Sequence, residues 1–247
     1  MNHFFVSKEQ TIDKNVFIEG RDYNHLKNVL RVEPGEEVSV SNGEDGKEYR
    51  CILENYEEDR AVLKVIFIKE SDVESPANIV LYQGLPKADK MELIIQKCVE
   101  LGVAKIVPVA TRRAVVKLDV KKAAGKITRW QAIAEAAGKQ SQRAIVPVIG
   151  QVINFKEAVK EASEADIKMI PYEMCEDMST AKEIFTKLKP GQTIAVFIGP
   201  EGGFDEEEIE LAQSMGIVPV SLGKRILRTE TAGMMVIAWI DYCLEVK

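Results

Sequence analysis

The stretch TIAVFIGPEGGFDEEEIELAQSMGIVPVSLGKRILRTETA, Thr193 to Ala232, decides the fold. Ile194 to Ile198 is a short, wholly apolar run rich in β-branched and aromatic residues. That is the pattern of a strand buried on both faces of a parallel sheet. Asp205 to Met215 reads as a helix, with Asp205 as N-cap, Glu208 three residues on and Gly216 as the stop. Ile217 to Leu222 reads as a second buried strand, and Pro219, which cannot donate to a ladder, marks it as an edge or a local break. One loop follows each strand. The first is Gly199-Pro200-Glu201-Gly202-Gly203. The second runs from Gly223 to Thr231 and carries Arg228, Thr229 and Glu230. Ligands of parallel α/β sheets bind beyond the carboxyl ends of strands. Both loops are therefore expected at one sheet end, where glycines let a flat ligand approach the main chain.

Working back from this stretch, strands and helices alternate. Strand candidates are Asn78 to Gln83, Lys105 to Val109, Ile145 to Ile149 and Ile167 to Pro171. Helix candidates are Lys87 to Leu101, Lys121 to Lys139, Phe155 to Ser163 and Thr180 to Leu188, the last opening on a Thr180-x-x-Glu183 capping box. After the quoted stretch, Thr231 to Val246 reads as a closing helix with Ala232, Met235, Val236, Trp239, Ile240 and Cys243 on a broad apolar stripe. Repeated β-α units imply a mostly parallel sheet covered on both faces. Residues 1–72 read differently, as short strands separated by Pro34-Gly35 and by Asn42 to Gly46, with one helix around Asp22 to Leu30. That spacing suggests a small β-barrel. The polar, Pro76-containing run Glu70 to Ala77 is the linker candidate.

Composition narrows the function. The chain has 247 residues, 46% hydrophobic and 29% charged, which is ordinary for a globular protein. No apolar run is long enough to span a bilayer and no signal-peptide pattern opens the chain, so a cytoplasmic protein is expected. The cysteines Cys51, Cys98, Cys175 and Cys243 are far apart, and His3 and His25 share no ligand spacing, so no metal is expected. No phosphate-binding lysine loop and no serine-nucleophile motif occurs. The net charge of −6 disfavours nucleic acid when taken globally. Yet from Lys105 to Arg143 ten basic residues face only Asp119 and Glu135. Such a local basic run is either an RNA-binding face or a solvated helix face.

The motifs IGPEGGF and LGKRILRTETA, followed by an apolar helix, resemble the cofactor site of the SPOUT methyltransferases, knotted enzymes that use S-adenosylmethionine. Among these the chain most resembles the family that methylates N3 of a uridine in 16S ribosomal RNA. LPKADKMELIIQKCVELGV at Leu85 to Val103 is close to that family's pattern; TRRAVVK at Thr111 to Lys117 and RWQAIAEAAGKQSQR at Arg129 to Arg143 match more loosely. HLKNVLRVEPGE resembles the start of the family's PUA-like RNA-binding domain. The chain departs from the family in carrying His3 before the first Phe pair and Lys139 before Gln140-Ser141.

The resemblance implies an α/β protein: a PUA-like barrel over residues 1–72 and a parallel SPOUT sheet with a trefoil knot over 73–247. It implies S-adenosylmethionine held by Ile198, Gly199, Pro200, Glu201, Gly202, Gly203, Leu222, Gly223, Ile226, Leu227, Arg228 and Thr231. It implies 16S ribosomal RNA or the small ribosomal subunit as partner, and a homodimer. RNA-contact candidates are His25, Arg31, Lys87, Lys90, Arg112, Arg113, Lys117, Gln140 and Arg143. For His25 and Arg31 helix capping is an equal reading, and for Lys87 and Lys90 a solvated helix face is.

Uracil N3 must lose a proton before it can attack a methyl group. Glu230 and Glu201 are candidates for the base, and Arg228 for the cation that stabilises the resulting anion. Arg228 and Glu230 read equally well as a structural pair at the start of the last helix. Two other functions fit the same residues: a ribose 2′-O methyltransferase of the same superfamily, and a non-catalytic RNA-binding assembly factor.

Overall fold

The structure is a computed structural model and describes residues 2–175 and 177–245. Val246, the expected end of the last helix, lies outside them. The chain forms two compact units. One comprises the residues up to Glu74 together with Gly138–Val146; the other comprises Ser75–Ala137 and the chain from Pro147 onward.

The first unit holds strands β1 (His3–Phe5), β2 (Thr11–Ile12) and β3 (Asn15–Glu19), helix α1 (Gly20–Asn24), and strands β4 (Glu37–Ser41), β5 (Lys47–Tyr56) and β6 (Arg60–Glu70). They form one sheet of order β1-β4-β5-β6-β3-β2, antiparallel except where β1 runs beside β4. Alternate residues point inward: Phe4, Val16, Ile18, Val38, Val40, Cys51, Leu53, Ala61 and Leu63 share one core cluster. A single cluster fed from both ends of a six-stranded sheet requires the sheet to curl. Bulges between Arg50 and Cys51 and between Leu53 and Asn55 supply bend. The ladder stays open between β1 and β2, so the expected barrel is a curled sheet.

The helix expected over Asp22 to Leu30 starts earlier, at Gly20, and widens into a π-helical turn over His25–Leu30. Arg31 ends it in the left-handed region at φ 54°, so that both Arg31 and Val32 donate backbone N–H bonds to the Leu26 carbonyl. The wider turn buries Leu26 and Val32 together in the core while Val29 stays exposed. Within this unit the Arg143 guanidinium bonds Glu74 at 2.5 Å, and the backbone N–H groups of Ala144 and Ile145 donate to the same carboxylate at 2.9 and 3.2 Å.

The second unit alternates β7 (Asn78–Gly84), α2 (Lys90–Glu100), β8 (Lys105–Ala110), α3 (Val120–Gln140), β9 (Val148–Ile149), β10 (Ile153–Asn154), α4 (Phe155–Glu161), β11 (Ile167–Pro171), α5 (Ser179–Lys187), β12 (Thr193–Ile198), α6 (Glu206–Ser214), β13 (Val218–Val220) and α7 (Thr229–Glu245). Every pairing is parallel, in the order β10-β8-β7-β12-β11-β13, with β9 also beside β8. β12 shows why. Ile194, Val196 and Ile198 enter the core beneath α2, α5 and α7, while Ala195 and Phe197 enter the opposite core beneath α4 and α6. A strand buried on both faces needs a helix layer on each side. Pro219 sits in β13, an edge strand, where its missing donor is least costly.

Three local expectations are corrected. The strand expected over Ile145 to Ile149 is only Val148–Ile149, because Ile145 pairs instead with Gly43 in the first unit. The Thr180 capping box is absent: α5 begins at Ser179, whose backbone N–H donates to Asp177 Oδ1 at 2.7 Å. On α7 the buried face is Gly233, Val236, Ile237, Ile240 and Leu244, so Met235, Trp239 and Cys243 are only partly covered. The stripe rotates because α7 packs against α2, α5, β7 and β12.

Candidate active site

The loops after β11, β12 and β13 converge with the start of α2 on one cleft of roughly 690 Å³, inside the ~300–1,000 Å³ typical of small-molecule sites. Close packing at the strand ends shapes it. A Cβ on Gly84 at the end of β7 would sit 2.6 Å from Pro200 Cδ, so only glycine lets the Gly199-Pro200 turn rest on that strand. Gly203 N–H donates back to the Pro200 carbonyl at 2.9 Å, and Asp205 then caps α6, with Glu208 closing the capping box. Gly223 turns the second loop at φ 102°, a conformation closed to most side chains. Thr229, at the start of α7, donates its hydroxyl to the Gly199 carbonyl at 2.6 Å and accepts from Gln83 Nε2 at 2.9 Å.

The walls divide chemically. Ile198, Phe204, Leu222, Leu227 and Ala232 give an apolar lining, and Gly199, Gly203 and Gly223 expose main chain. Polar side chains line the rest: Glu173 and Cys175 after β11, Lys90 at the start of α2, Glu201, and Lys224, Arg225 and Arg228. Lys90 Nζ bonds Glu201 Oε1 at 2.7 Å and stands 3.7 Å from Glu230 Oε2. Partial burial alone would raise the Glu201 carboxyl. The Lys90 bond, its own and the Lys87 backbone N–H, and the Lys90 charge outweigh this and hold it below its ordinary value. The Glu201 bond, joined by the charges of both carboxylates, outweighs desolvation and Arg228 repulsion to raise Lys90. Glu230 Oε2 is buried without a hydrogen-bond partner among the described residues. The Arg228 side chain is exposed and makes no ion pair or hydrogen bond among the described residues.

Most of the residues expected at a cofactor line this cleft: Ile198, Gly199, Pro200, Glu201, Gly203, Leu222, Gly223, Ile226, Leu227 and Arg228. Two do not. Gly202 faces Arg113, whose Cβ lies 3.1 Å from where a Gly202 Cβ would be. Thr231 is exposed on α7, its backbone N–H bonded to the Arg228 carbonyl. Glu230 is also outside the wall, directed at Lys90. Ile226 lines the mouth but is 89% exposed, so it does not press on the interior.

The basic run is largely neutralised from elsewhere in the chain. Arg112 pairs with Asp205 at 3.2 Å and Glu207 at 2.6 Å, Arg113 with Asp205 at 3.6 Å, Lys105 with Glu161, Arg129 with Glu92 and Lys139 with Asp22. Arg143 is 3% exposed and bound to Glu74, so burial removes it from any RNA-facing surface. Lys117 and Gln140 remain open, as do Lys87, His25 and Arg31. Sequence reasoning missed the turn after β11, with Tyr172, Glu173 and Cys175. Nothing in its pattern marks it, and only the position of β11 between β12 and β13 brings it to the cleft.

A parallel sheet with glycine-rich loops meeting in a cleft at its carboxyl edge defines an α/β enzyme that takes a flat cofactor. Comparison with known proteins makes this specific. A family model described as RNA methyltransferase domain matches residues 73–241, and one described as RNA methyltransferase PUA domain matches residues 18–66. Ribosomal RNA small subunit methyltransferase E of Bacillus subtilis is 35% identical over 99% of this chain and 98% of its own. The Synechocystis protein of that name is 31% identical over 97% of this chain and 77% of its own. The solved structure of the Neisseria gonorrhoeae protein of that name, bound to S-adenosyl methionine, superposes with a TM-score of 0.86 at 33% identity. It covers 99% of this chain and 98% of that one. The chain belongs to the ribosomal RNA small subunit methyltransferase E family of SPOUT RNA methyltransferases.

Proposed function

We propose that this protein transfers the methyl group of S-adenosylmethionine to N3 of a specific uridine in 16S ribosomal RNA of the small subunit. The observation that carries the reading is the cleft between the Gly199 and Gly223 loops, fixed at its base by Thr229. Its volume, its apolar lining and its exposed glycine main chain fit a cofactor with a flat adenine ring. Leu222 and Leu227 would flank the ring, and main-chain groups of both loops would meet its edge. When bound, the cofactor supplies an electrophilic methyl on a sulfonium.

The chain's own contribution is alignment and charge. Holding acceptor and donor in line supplies much of the acceleration. Uracil N3 gives up its proton to solvent at the cleft mouth, and the negative charge spreads to the flanking carbonyl oxygens. Arg228 stays charged at any working pH and has no competing partner among the described residues, so it is the cation for that anion. Glu201, engaged by Lys90 and by the Lys87 backbone, is a poor base. Glu230 acts on Lys90 and fixes where that ammonium stands along the wall. The division at residue 72, with RNA contacts at His25, Arg31, Lys87, Lys117 and Gln140, the trefoil knot, the homodimer and the cytoplasmic location all belong to this reading. Among the described residues no helix is long and apolar enough to cross a membrane, and no group of three or more His, Cys, Asp or Glu could hold a metal.

The test is nucleoside mass spectrometry of small-subunit RNA, from cells with and without the protein and after incubation with the purified protein and cofactor. The expected product is 3-methyluridine. A 2′-O-methylated nucleoside would support the ribose methyltransferase instead, and a protein that bound RNA without binding cofactor would be an assembly factor. Sedimentation should give a species near twice 27.6 kDa.

A further inference from the structure

Two sets of cations in this chain stand in contrast. Those of the Lys105 to Arg143 run are mostly held by carboxylates. Lys224, Arg225 and Arg228, three within five residues, are exposed and make no ion pair or side-chain hydrogen bond among the described residues. All three line the cleft mouth. Between them Ile226 is 89% exposed. A single exposed apolar residue needs no explanation, but this one projects from a segment of uncompensated positive charge at the entrance to the candidate site.

We propose that the segment Lys224 to Arg228 is the element that grips the RNA around the target nucleotide. Lys224 and Arg225 bind backbone phosphates on either side of it, and Ile226 fills the space the target base leaves when it turns out of its stack into the cleft. This rests on the reading of the protein as an RNA base methyltransferase. Three arguments favour a nucleic acid as the occupant. The three cations form a dense cluster of donors, and among the described residues the carboxylates of the same cleft, Glu173 and Glu201, make no ion pair with them, which matches a polyanion as occupant. A base that undergoes chemistry must be unpaired or extruded, and extrusion leaves a gap whose walls are flat and apolar. Apolar wedges such as isoleucine are used to fill such gaps in nucleic acids that proteins distort. The geometry also separates the roles along the loop, since Arg228 lies beside α7 and Lys90 whereas Ile226 is almost wholly outside the cleft.

Two variants test this, Lys224→Ala/Arg225→Ala and Ile226→Ser, both at exposed positions. Cofactor affinity is measured by calorimetry, RNA affinity across salt by anisotropy, and methyl transfer on whole small-subunit RNA and on a short unstructured oligonucleotide spanning the modified position. For the double variant, cofactor affinity should hold within about twofold, while the slope of log K against log salt should fall by about 1.4, two single-strand phosphate contacts. For Ile226→Ser, the ratio of kcat/KM on structured RNA to that on the oligonucleotide should fall about tenfold or more, because only the structured RNA requires extrusion. An unchanged slope in the double variant, or an unchanged ratio in the serine variant, overturns the assignment while the parent protein remains active. A shift in sedimentation of Ile226→Ser would give that side chain to a protein partner and likewise overturn it. Absence of methyl transfer by the parent protein would instead overturn the function itself.

Discussion

The Thr229 hydroxyl donates to the Gly199 carbonyl at 2.6 Å and accepts from Gln83 Nε2 at 2.9 Å. One buried side chain thus joins the ends of β7 and β12 to the first turn of α7. Gln83 is fully buried, and its Nε2 also donates to the Gly84 carbonyl at 3.0 Å, so loss of Thr229 leaves chiefly the Gly199 carbonyl without its donor. Thr229→Val keeps the shape and removes both bonds, at a cost of about 1–3 kcal/mol. The melting temperature should fall by several degrees, at about 2–4 °C per kcal/mol for a chain of this size. Cofactor affinity should fall about tenfold, since the two loops lose their common anchor. Thr229→Ser should restore most of both. Calorimetry with paired melts checks this; a valine variant with full affinity would show that the cleft does not depend on the bridge.

Gly202→Val should abolish cofactor binding without unfolding the protein. The first added carbon would already stand 3.1 Å from Arg113 Cβ and 3.2 Å from the Arg113 carbonyl. Two further methyl groups force the Gly199–Gly203 turn off that neighbour and into the cleft. Overpacking of this kind costs about 1–3 kcal/mol, concentrated here on the loop. Calorimetry and circular dichroism separate the loop effect from a general one.

Arg228→Ala should lower kcat and kcat/KM together by about 10² or more, with cofactor affinity and melting temperature nearly intact. The structural pairing with Glu230 that would predict a lower melting temperature is absent; Glu230 faces Lys90 instead. Arg228→Lys should recover part of the rate, because a point charge replaces a planar fork. A rise in KM at constant kcat would reassign Arg228 to an RNA phosphate.

Arg112→Ala should leave the salt dependence of RNA binding almost unchanged. Its guanidinium is already engaged by Glu207 and Asp205, and the Glu207 hydrogen bond, with the charges of both carboxylates, holds it above its ordinary pKa. Lys117→Ala removes an exposed ammonium that has no such partner among the described residues, and should reduce the slope by about 0.7 if it meets one single-strand phosphate. Equal losses for both residues would show that RNA displaces the Arg112 pairs.

His3 links folding to pH. Its Nδ1 lies 3.0 Å from Ser39 Oγ and its Nε2 lies 3.1 Å from the Arg143 carbonyl oxygen. Burial outweighs the Glu48 charge and lowers its pKa below the usual 6.5. Above about 6.5 the ring is neutral in both folded and unfolded chains and contributes no pH dependence. Below it the unfolded chain takes up a proton first, so stability should fall with pH until the folded pKa is reached. Melts from pH 7.5 to 5 should show this decline, and His3→Asn should flatten it. An identical decline in both proteins would place the linkage elsewhere.

The parallel sheet, the helix from Asp205 and the two loops that line the cleft were legible because each rests on local chemistry. Apolar runs of strand length, an N-cap with its capping glutamate and glycines at strand ends act over a few residues and leave a mark in the string. The same locality explains the failures. The Thr180 capping box was a correct pattern displaced by Asp177, one turn earlier. The π-helical turn over His25–Leu30 follows from burying Leu26 and Val32 together, a demand made by the sheet around them.

By itself the sequence determined the element order, the family's motifs and the two loops that should meet. Only the tertiary structure decided which charges are free. Arg112, Arg113 and Arg143 look like an RNA-binding run in the string, but their partners Asp205, Glu207 and Glu74 lie dozens of residues away. Lys224, Arg225 and Arg228 stand in the string inside a loop motif, yet among the described residues folding brings them no acid in an ion pair. Charge compensation acts through space over a few ångströms, and chain order carries no record of which carboxylate will arrive there.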